Sequence, residues 1–201
     1  MIFLNTTIRQ HRLNYGVIVL VLILFNACSG TKLNTQRTLV EPSTVSSYRV
    51  DPEQEKVDAL AADLIRMAAP HTRSASHTAT EARLMAKTAI TYSRDLAGKY
   101  QIIRPPLLHN ILVRMGLKER GLCYHFADDL MARMKTLELK DFKLRHGVAF
   151  EGSDIKEHNS LVVTPTGRPF SEGMVLDPWR NSGELYWATV EQDTYPWEER
   201  R

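Results

Sequence analysis

Three residues in the second half of the chain have side chains suited to nucleophilic chemistry: Cys123, His158 and Asp177. A thiol reacts as its thiolate, which a nearby base can generate, and the base needs a third group that fixes its tautomer. A cysteine, a histidine and an aspartate can fill these three roles in that order. Whether the three side chains meet depends on the elements that carry them.

Cys123 is predicted to begin a helix. Apolar residues recur at the spacing of one helix face, at positions 123, 126, 127, 130, 134 and 137. The free N–H groups at a helix start carry partial positive charge, which favours a thiolate and can hold a developing oxyanion. Gly121 is expected to keep the approach to the sulfur clear of side-chain bulk. Many inert core cysteines also begin helices, so that interpretation stays open.

His158 is the histidine best placed to act as the base. It opens a predicted strand, and Asp177 lies in the next strand, so a hairpin would bring the two side chains together. Asp177 could also be a simple turn residue before Pro178. His125 is expected to point to a different helix face from Cys123. The other histidines are assigned to the leader (His11), a solvated polar loop (His71, His77), packing or surface (His109) and a core-facing strand position (His146).

Helical periodicity precedes strand periodicity along the chain. Helices are predicted from Asp51 to Pro70, from Thr80 to Tyr100, from Leu107 to Met115 and from Cys123 onward. Strands are predicted over residues 142–150, 157–163, 173–179 and 183–190. Helices first and strands last predict an α+β fold with a mostly antiparallel sheet.

The first 27 residues have the three-part layout of a secretory signal. Arg9 and Arg12 precede an apolar run from Tyr15 to Phe25, which is too short for the roughly 20 residues of a membrane-spanning helix. Cys28 resembles the lipid acceptor of a bacterial lipoprotein, and Ser29 resembles the pattern of lipoproteins sent to an outer membrane. An uncleaved anchor and simple secretion stay open as alternatives.

The residues after the predicted signal divide into a short polar segment and a longer segment with the pattern of a folded domain. Residues 28–50 are polar and rich in serine and threonine, which predicts a lipid-anchored flexible tether, and residues 51–201 are predicted to form one domain. The chain is therefore expected to reside in the cell envelope, as an outer-membrane lipoprotein facing the periplasm. A lipid on Cys28 would leave Cys123 as an unpaired thiol, whereas an unlipidated form could pair the two in a disulfide.

Composition argues against several classes of function. The formal net charge is +3 at pH 7, and the predicted signal contributes two arginines and no acid. The mature chain is thus nearly neutral, so neither nucleic acid nor an anionic lipid surface is expected as a partner. Glycine-rich phosphate loops and metal-ligand spacings are not found, so no cofactor or metal is predicted. Four late aromatic residues are expected to form core or cleft wall: Trp179, Tyr186, Trp187 and Trp197.

The predicted helix at Cys123 resembles the nucleophile helix of the transglutaminase-like cysteine protease superfamily. The matching positions are Gly121, Cys123, Ala127, Leu130 and Arg133, within the sequence GLCYHFADDLMAR. The strands that follow resemble those of the same family, with the sequences FKLRHGVAF, EHNSLVV and GMVLDPW. As in that family, the histidine begins its strand and the aspartate precedes a proline. The resemblance covers residues 110–180.

This resemblance implies a papain-like core, in which the cysteine helix packs on the antiparallel sheet. It also implies acyl transfer on amide bonds of proteins or cell-wall peptides, by hydrolysis or by transamidation. Cys123 would attack the carbonyl, His158 would move the proton and Asp177 would orient His158. No side-chain oxyanion donor upstream of Cys123 is identified. Two other functions stay open: a catalytically inactive envelope lipoprotein that uses the fold for binding or scaffolding, and a redox sensor based on Cys123.

Overall fold

The computed structural model describes residues 51–200. The predicted signal, the lipid acceptor Cys28 and the predicted tether at 28–50 lie outside these residues. The helices are α1 (Pro52–Ala68), α2 (Ala75–Lys99), α3 (Pro106–Arg114) and α4 (Cys123–Lys135). The strands are β1 (Phe142–Ala149), β2 (His158–Pro165), β3 (Met174–Asn181), β4 (Glu184–Thr189) and β5 (Trp197–Glu199). Short 3-10 turns cover Ala69–His71 and Phe170–Glu172.

The predicted α+β class with an antiparallel sheet is confirmed. The five strands lie in the order β4-β3-β2-β1-β5, and every neighbouring pair is antiparallel. α1, α2 and α4 pack against one face of the sheet and bury the main apolar core there. Burial of these apolar faces is the main force that holds the helices on the sheet. Within residues 51–200, no helix has both the length and the apolar character needed to cross a membrane.

The first two helices begin at polar caps. The Asp51 side chain accepts the Glu53 N–H at 3.0 Å, and Pro52 occupies the first turn, as predicted for α1. α2 begins at Ala75, five residues before the predicted start at Thr80. The intervening segment is polar and gives no periodic signal, but Ser74 caps it through the His77 N–H. The prediction of His77 as a loop residue was therefore wrong.

A polar cluster ties the start of α2 to the loop before β1. Asp141 accepts a hydrogen bond from the Thr78 hydroxyl at 2.6 Å and bonds His77 Nδ1 at 2.9 Å. Glu81 accepts the backbone N–H groups of Lys140 and Asp141 at 2.8 and 2.9 Å. Ligand-type atoms of His77, Glu81 and Asp141 all lie within 4.8 Å of one another. Because both carboxylates are bonded within the protein, the cluster is explained as a brace between helix and sheet.

Three details of the sheet differ from the sequence prediction. His146 is 41% exposed and faces Asp128 at 4.0 Å, so it is not a core histidine. Phe150 lies beyond the end of β1 with φ of 56°, and its side chain is exposed. β5 was not predicted, because three residues cannot display a period of two. It pairs with β1 and buries Trp197.

Candidate active site

Cys123 is the first residue of α4, as its sequence pattern predicts. Its side chain is buried, and the sulfur lies 4.0 Å from the carbonyl oxygen of Glu157, the residue before β2. The face of α4 that continues from Cys123 is buried, and its residues Leu130, Met131 and Met134 join the apolar core between the helices and the sheet. The helix thus delivers the thiol to the end of the sheet where β2 begins.

His125 caps the helix that carries the thiol. Its Nδ1 accepts the N–H groups of Gly121 at 3.1 Å and Leu122 at 3.2 Å. Burial and the nearby Arg120 guanidinium lower the pKa of His125, which favours the neutral ring that can accept both bonds. The sequence prediction placed His125 only on another face. A polar side chain three residues into a helix, reaching back to its start, is the signal that could have identified the cap.

Gly121 has a packing role that the sequence did not predict. Its φ is +119°, and a side chain there would overlap the His109 ring and the Ile102 methyl group. His109 is fully buried, and its Nε2 bonds the Arg120 carbonyl oxygen at 2.8 Å, while Nδ1 accepts the Ile103 N–H at 3.2 Å. The glycine therefore makes room for a buried histidine that fixes the chain entering α4, and its role in access to the sulfur stays a prediction.

His158 and Asp177 meet in the buried part of the sheet. Nε2 of His158 lies 2.6 Å from Oδ2 of Asp177, and the two residues are 4% and 0% exposed. Leu161 lies opposite Leu176, and this register puts Asp177 diagonally across from His158 on the same face. Because Nε2 is engaged by the carboxylate, Nδ1 is the ring nitrogen left for the thiol.

Asp177 also organises the turn that follows it. Its Oδ1 accepts the backbone N–H groups of Trp179 and Arg180, each at 3.1 Å. Its Oδ2 accepts the Nε–H of Arg180 at 3.1 Å in addition to the bond with His158. The carboxylate therefore combines the two predicted alternatives, since it both braces the turn after Pro178 and holds the histidine.

The protonation of His158 is set by three opposing influences. Burial is the largest and disfavours the charged ring, but the hydrogen bonds and charges of Asp177 and Cys123 outweigh it and raise the pKa of His158 to about 9. The Cys123 sulfur lies 4.0 Å from the carbonyl oxygen of Glu157, the residue that directly precedes His158. At neutral pH the raised pKa favours the protonated ring of His158, which can act as a proton donor.

Aromatic side chains enclose the histidine ring. The ring centroids of Trp179, Tyr195 and Trp197 lie 4.8, 5.3 and 5.5 Å from that of His158. This agrees with the prediction that Trp179 and Trp197 form core or cleft wall. Such an apolar enclosure excludes water and strengthens the interaction between His158 and Asp177.

A cleft of about 300 Å³ opens next to Cys123. Asn110, from α3, lines it together with Cys123, and its Oδ1 accepts the Trp179 indole N–H at 3.1 Å. This bond fixes the orientation of the amide, and within residues 51–200 no hydrogen bond engages Nδ2. Sequence reasoning missed Asn110 because the helix that carries it shows no pattern linking it to Cys123.

Comparisons with models of protein families, with curated proteins and with solved structures found no match. The case for chemistry at Cys123 therefore depends on the geometry of the side chains. That geometry places the thiol, at a helix start, next to the residue that precedes His158, and it pairs the buried histidine with a buried carboxylate.

Proposed function

We propose that the protein is a transglutaminase-like cysteine hydrolase or acyl transferase that acts on amide bonds of proteins or peptides. The observation that carries this proposal is the buried His158–Asp177 pair, with Nε2 and Oδ2 separated by 2.6 Å, beside the Cys123 thiol at the edge of a cleft. In this arrangement Cys123 is the nucleophile, His158 is the base and Asp177 is the group that orients the base, as acyl transfer requires.

The chemical steps follow from this arrangement. The Cys123 thiolate attacks the amide carbonyl carbon, and the protonated His158 gives its proton to the departing amine. The resulting thioester is resolved by water, which gives hydrolysis, or by another amine, which gives transamidation. In the second step, His158 takes a proton from the incoming nucleophile, and Asp177 keeps the ring in the tautomer that both steps use.

The developing oxyanion has two candidate donors. One is the backbone N–H of Cys123, which has no partner inside the helix because it lies in the first turn. The other is Nδ2 of Asn110, since Oδ1 is committed to Trp179 and the amide lines the same cleft. In this proposal the two donors bind the oxygen of the tetrahedral intermediate.

The proposed location comes from the sequence. The signal over residues 1–27 and the acceptor Cys28 would anchor the protein to the membrane by lipid, as an outer-membrane lipoprotein facing the periplasm. The substrates of this envelope enzyme would be proteins or cell-wall peptides.

The proposal is tested by the rate at which iodoacetamide alkylates Cys123 between pH 5 and pH 9. The full chain is used, and alkylation is read by mass spectrometry on the Cys123 peptide, so that Cys28 does not contribute. At pH 7 the rate is expected to fall about thirtyfold in His158→Ala, because an ordinary thiol with a pKa near 8.5 is only a few per cent thiolate there.

His146→Ala is the matched control, since His146 lies on the same sheet but its side chain is 41% exposed and faces Asp128. Its alkylation rate is expected to equal that of the wild type. A Cys123 thiol that reacts slowly, or that is indifferent to His158, would contradict the enzyme proposal and favour a non-catalytic binding or scaffolding protein.

Asn110→Ala tests the oxyanion assignment separately. Acylation by p-nitrophenyl acetate passes through a tetrahedral oxyanion, so its rate constant is expected to fall about a hundredfold. Alkylation by iodoacetamide forms no oxyanion and is expected to stay unchanged. Equal effects on both reactions would show that Asn110 supports the fold of the cleft and does not stabilise the oxyanion.

A further inference from the structure

A second ion pair lies directly behind the proposed triad. The Arg180 guanidinium donates from Nε to Asp177 Oδ2 at 3.1 Å, and from its two terminal nitrogens to the Asp193 carboxylate, each at 2.9 Å. The Asp193 side chain is 0% exposed. Tyr186 and Tyr195 lie against the guanidinium, with ring centroids 4.0 and 4.3 Å from its carbon. A lysine at this position would keep the positive charge, but its ammonium group could not reproduce the forked bonds that the guanidinium makes to both carboxylates.

The same pair controls the aromatic wall around His158. Asp193 accepts the indole N–H of Trp197 at 2.9 Å and the backbone N–H of Tyr195 at 3.4 Å. Both aromatic rings contact the His158 ring. Arg180 in β3 thus holds residues 193–197, which lead into β5, against the sheet. In that position Tyr195 and Trp197 form one side of the pocket around His158.

We propose that Arg180 and Asp193 act as a positioning pair for the proposed active site, holding both the Asp177 carboxylate and the aromatic wall in the arrangement that keeps His158 against Cys123. The role rests on the proposed function of the triad. Neither residue touches the cleft at Cys123, so the pair acts through Asp177 and the wall.

The charges around His158 make this role more than structural. The Cys123 sulfur lies 4.0 Å from the carbonyl oxygen of the residue before His158, while Asp177 bonds the His158 ring and Arg180 lies behind that carboxylate. Burial alone would raise the pKa of Asp193, but the bonds from Arg180 and Trp197 outweigh it and lower the pKa, so this carboxylate is ionised. Arg180 is therefore shared between two buried carboxylates, and it restrains the one that bonds the histidine.

The test separates positioning from stability by removing one charge or both. Arg180→Met leaves Asp193 buried without its partner, and the melting temperature is expected to fall by about 10 °C. The double variant Arg180→Met, Asp193→Asn removes the Arg180 and Asp193 charges and leaves an amide oxygen for the Trp197 indole, while Asp177 keeps its bonds from His158 and from two backbone N–H groups. Its melting temperature is expected to return to within about 4 °C of the wild type.

Reactivity is expected not to return with stability. In the double variant the alkylation rate of Cys123 in the full chain at pH 7 is expected to stay about tenfold below the wild-type value, because the restraint on Asp177 and the wall is lost. Arg180→Lys keeps the charge but not the forked bonds, and it is expected to show the same loss. The exposed pair Arg168–Glu172 provides the control, since Arg168→Met, Glu172→Gln also removes two opposite charges.

Two outcomes would overturn the inference. A double variant that is stable and alkylated at the wild-type rate between pH 5 and pH 9 would make the pair purely structural, while the wild-type dependence on His158 would still support the proposed function. A wild-type Cys123 whose alkylation ignores His158 would overturn both.

Discussion

Asp177→Asn is expected to slow the alkylation of Cys123 at pH 7 about a hundredfold and to lower the free energy of unfolding by about 3–5 kcal/mol. Asp177 is fully buried and accepts bonds from His158, from Arg180 and from two backbone N–H groups. An amide carries no charge to stabilise the imidazolium, and its NH₂ group would face a donor. The same substitution therefore weakens both the site and the core beside it.

The pH dependence of stability is expected to change sign in this variant. In the wild type, the pKa of His158 is raised to about 9 from the ordinary 6.5, so protonation stabilises the folded state. This contribution, about 3 kcal/mol, is complete below pH 6.5 and is lost as the pH rises through 9. Without Asp177 the burial of the ring dominates and lowers its pKa, so the variant is expected to lose stability as the pH falls below 6.5.

Chemical denaturation between pH 5 and pH 9, with alkylation at each pH, measures both effects. Asp141→Asn is the matched control, because Asp141 also bonds a histidine, His77, but lies on the surface away from Cys123. Its effect on alkylation is expected to be nil. Wild-type reactivity in Asp177→Asn would contradict the assigned orienting role.

Gly121→Ala is expected to lower the melting temperature by about 10 °C, corresponding to about 3–5 kcal/mol. Two costs add in this substitution. The φ of +119° is unfavourable for alanine, and the new methyl group would overlap the buried His109 ring. Because His109 bonds the Arg120 carbonyl oxygen, the strain falls on the residues that lead directly into Cys123.

Gly116→Ala separates the two costs. Gly116 also has a positive φ, +72°, but a methyl group there would meet nothing within 4 Å. Only the backbone cost applies, so the loss is expected to be about 1 kcal/mol, or about 3 °C in melting temperature. Equal losses of melting temperature in the two alanine variants would show that the His109 side chain can move aside without destabilising the protein, and that Gly121 is needed only for its φ.

The elements that carry the proposed triad could be predicted because their signals are strong and local. α4 has an uninterrupted apolar stripe. β2 and β3 each contain an apolar run with one polar residue at its edge: His158 at the start of β2, and Asp177 before Pro178 in β3. Their antiparallel pairing followed from the short, turn-rich connection between them. The prediction that Cys123 lies near His158 and Asp177 depended on the resemblance to a family, because the spacing of apolar residues does not determine which helix meets which strand.

The supporting residues could not be predicted in the same way. Asn110, Arg180 and Asp193 act through side-chain bonds that cross between elements, and no period along the chain records them. β5 is too short to show alternation. His125 was set aside because spacing showed only which face it occupies, whereas its bonds run back along the helix axis to the turn before Cys123.

The closing of the histidine pocket by residues 193–197 has a consequence for the growing chain. Cys123, His158 and Asp177 are all made before the segment that carries Tyr195 and Trp197. Until that segment docks through Asp193, the His158 ring lacks two of the aromatic side chains that enclose it in the folded protein. Chains fold as they emerge from the N-terminus onward. In the proposed enzyme, the pocket around His158 would therefore be completed late, when residues 193–197 dock on the sheet.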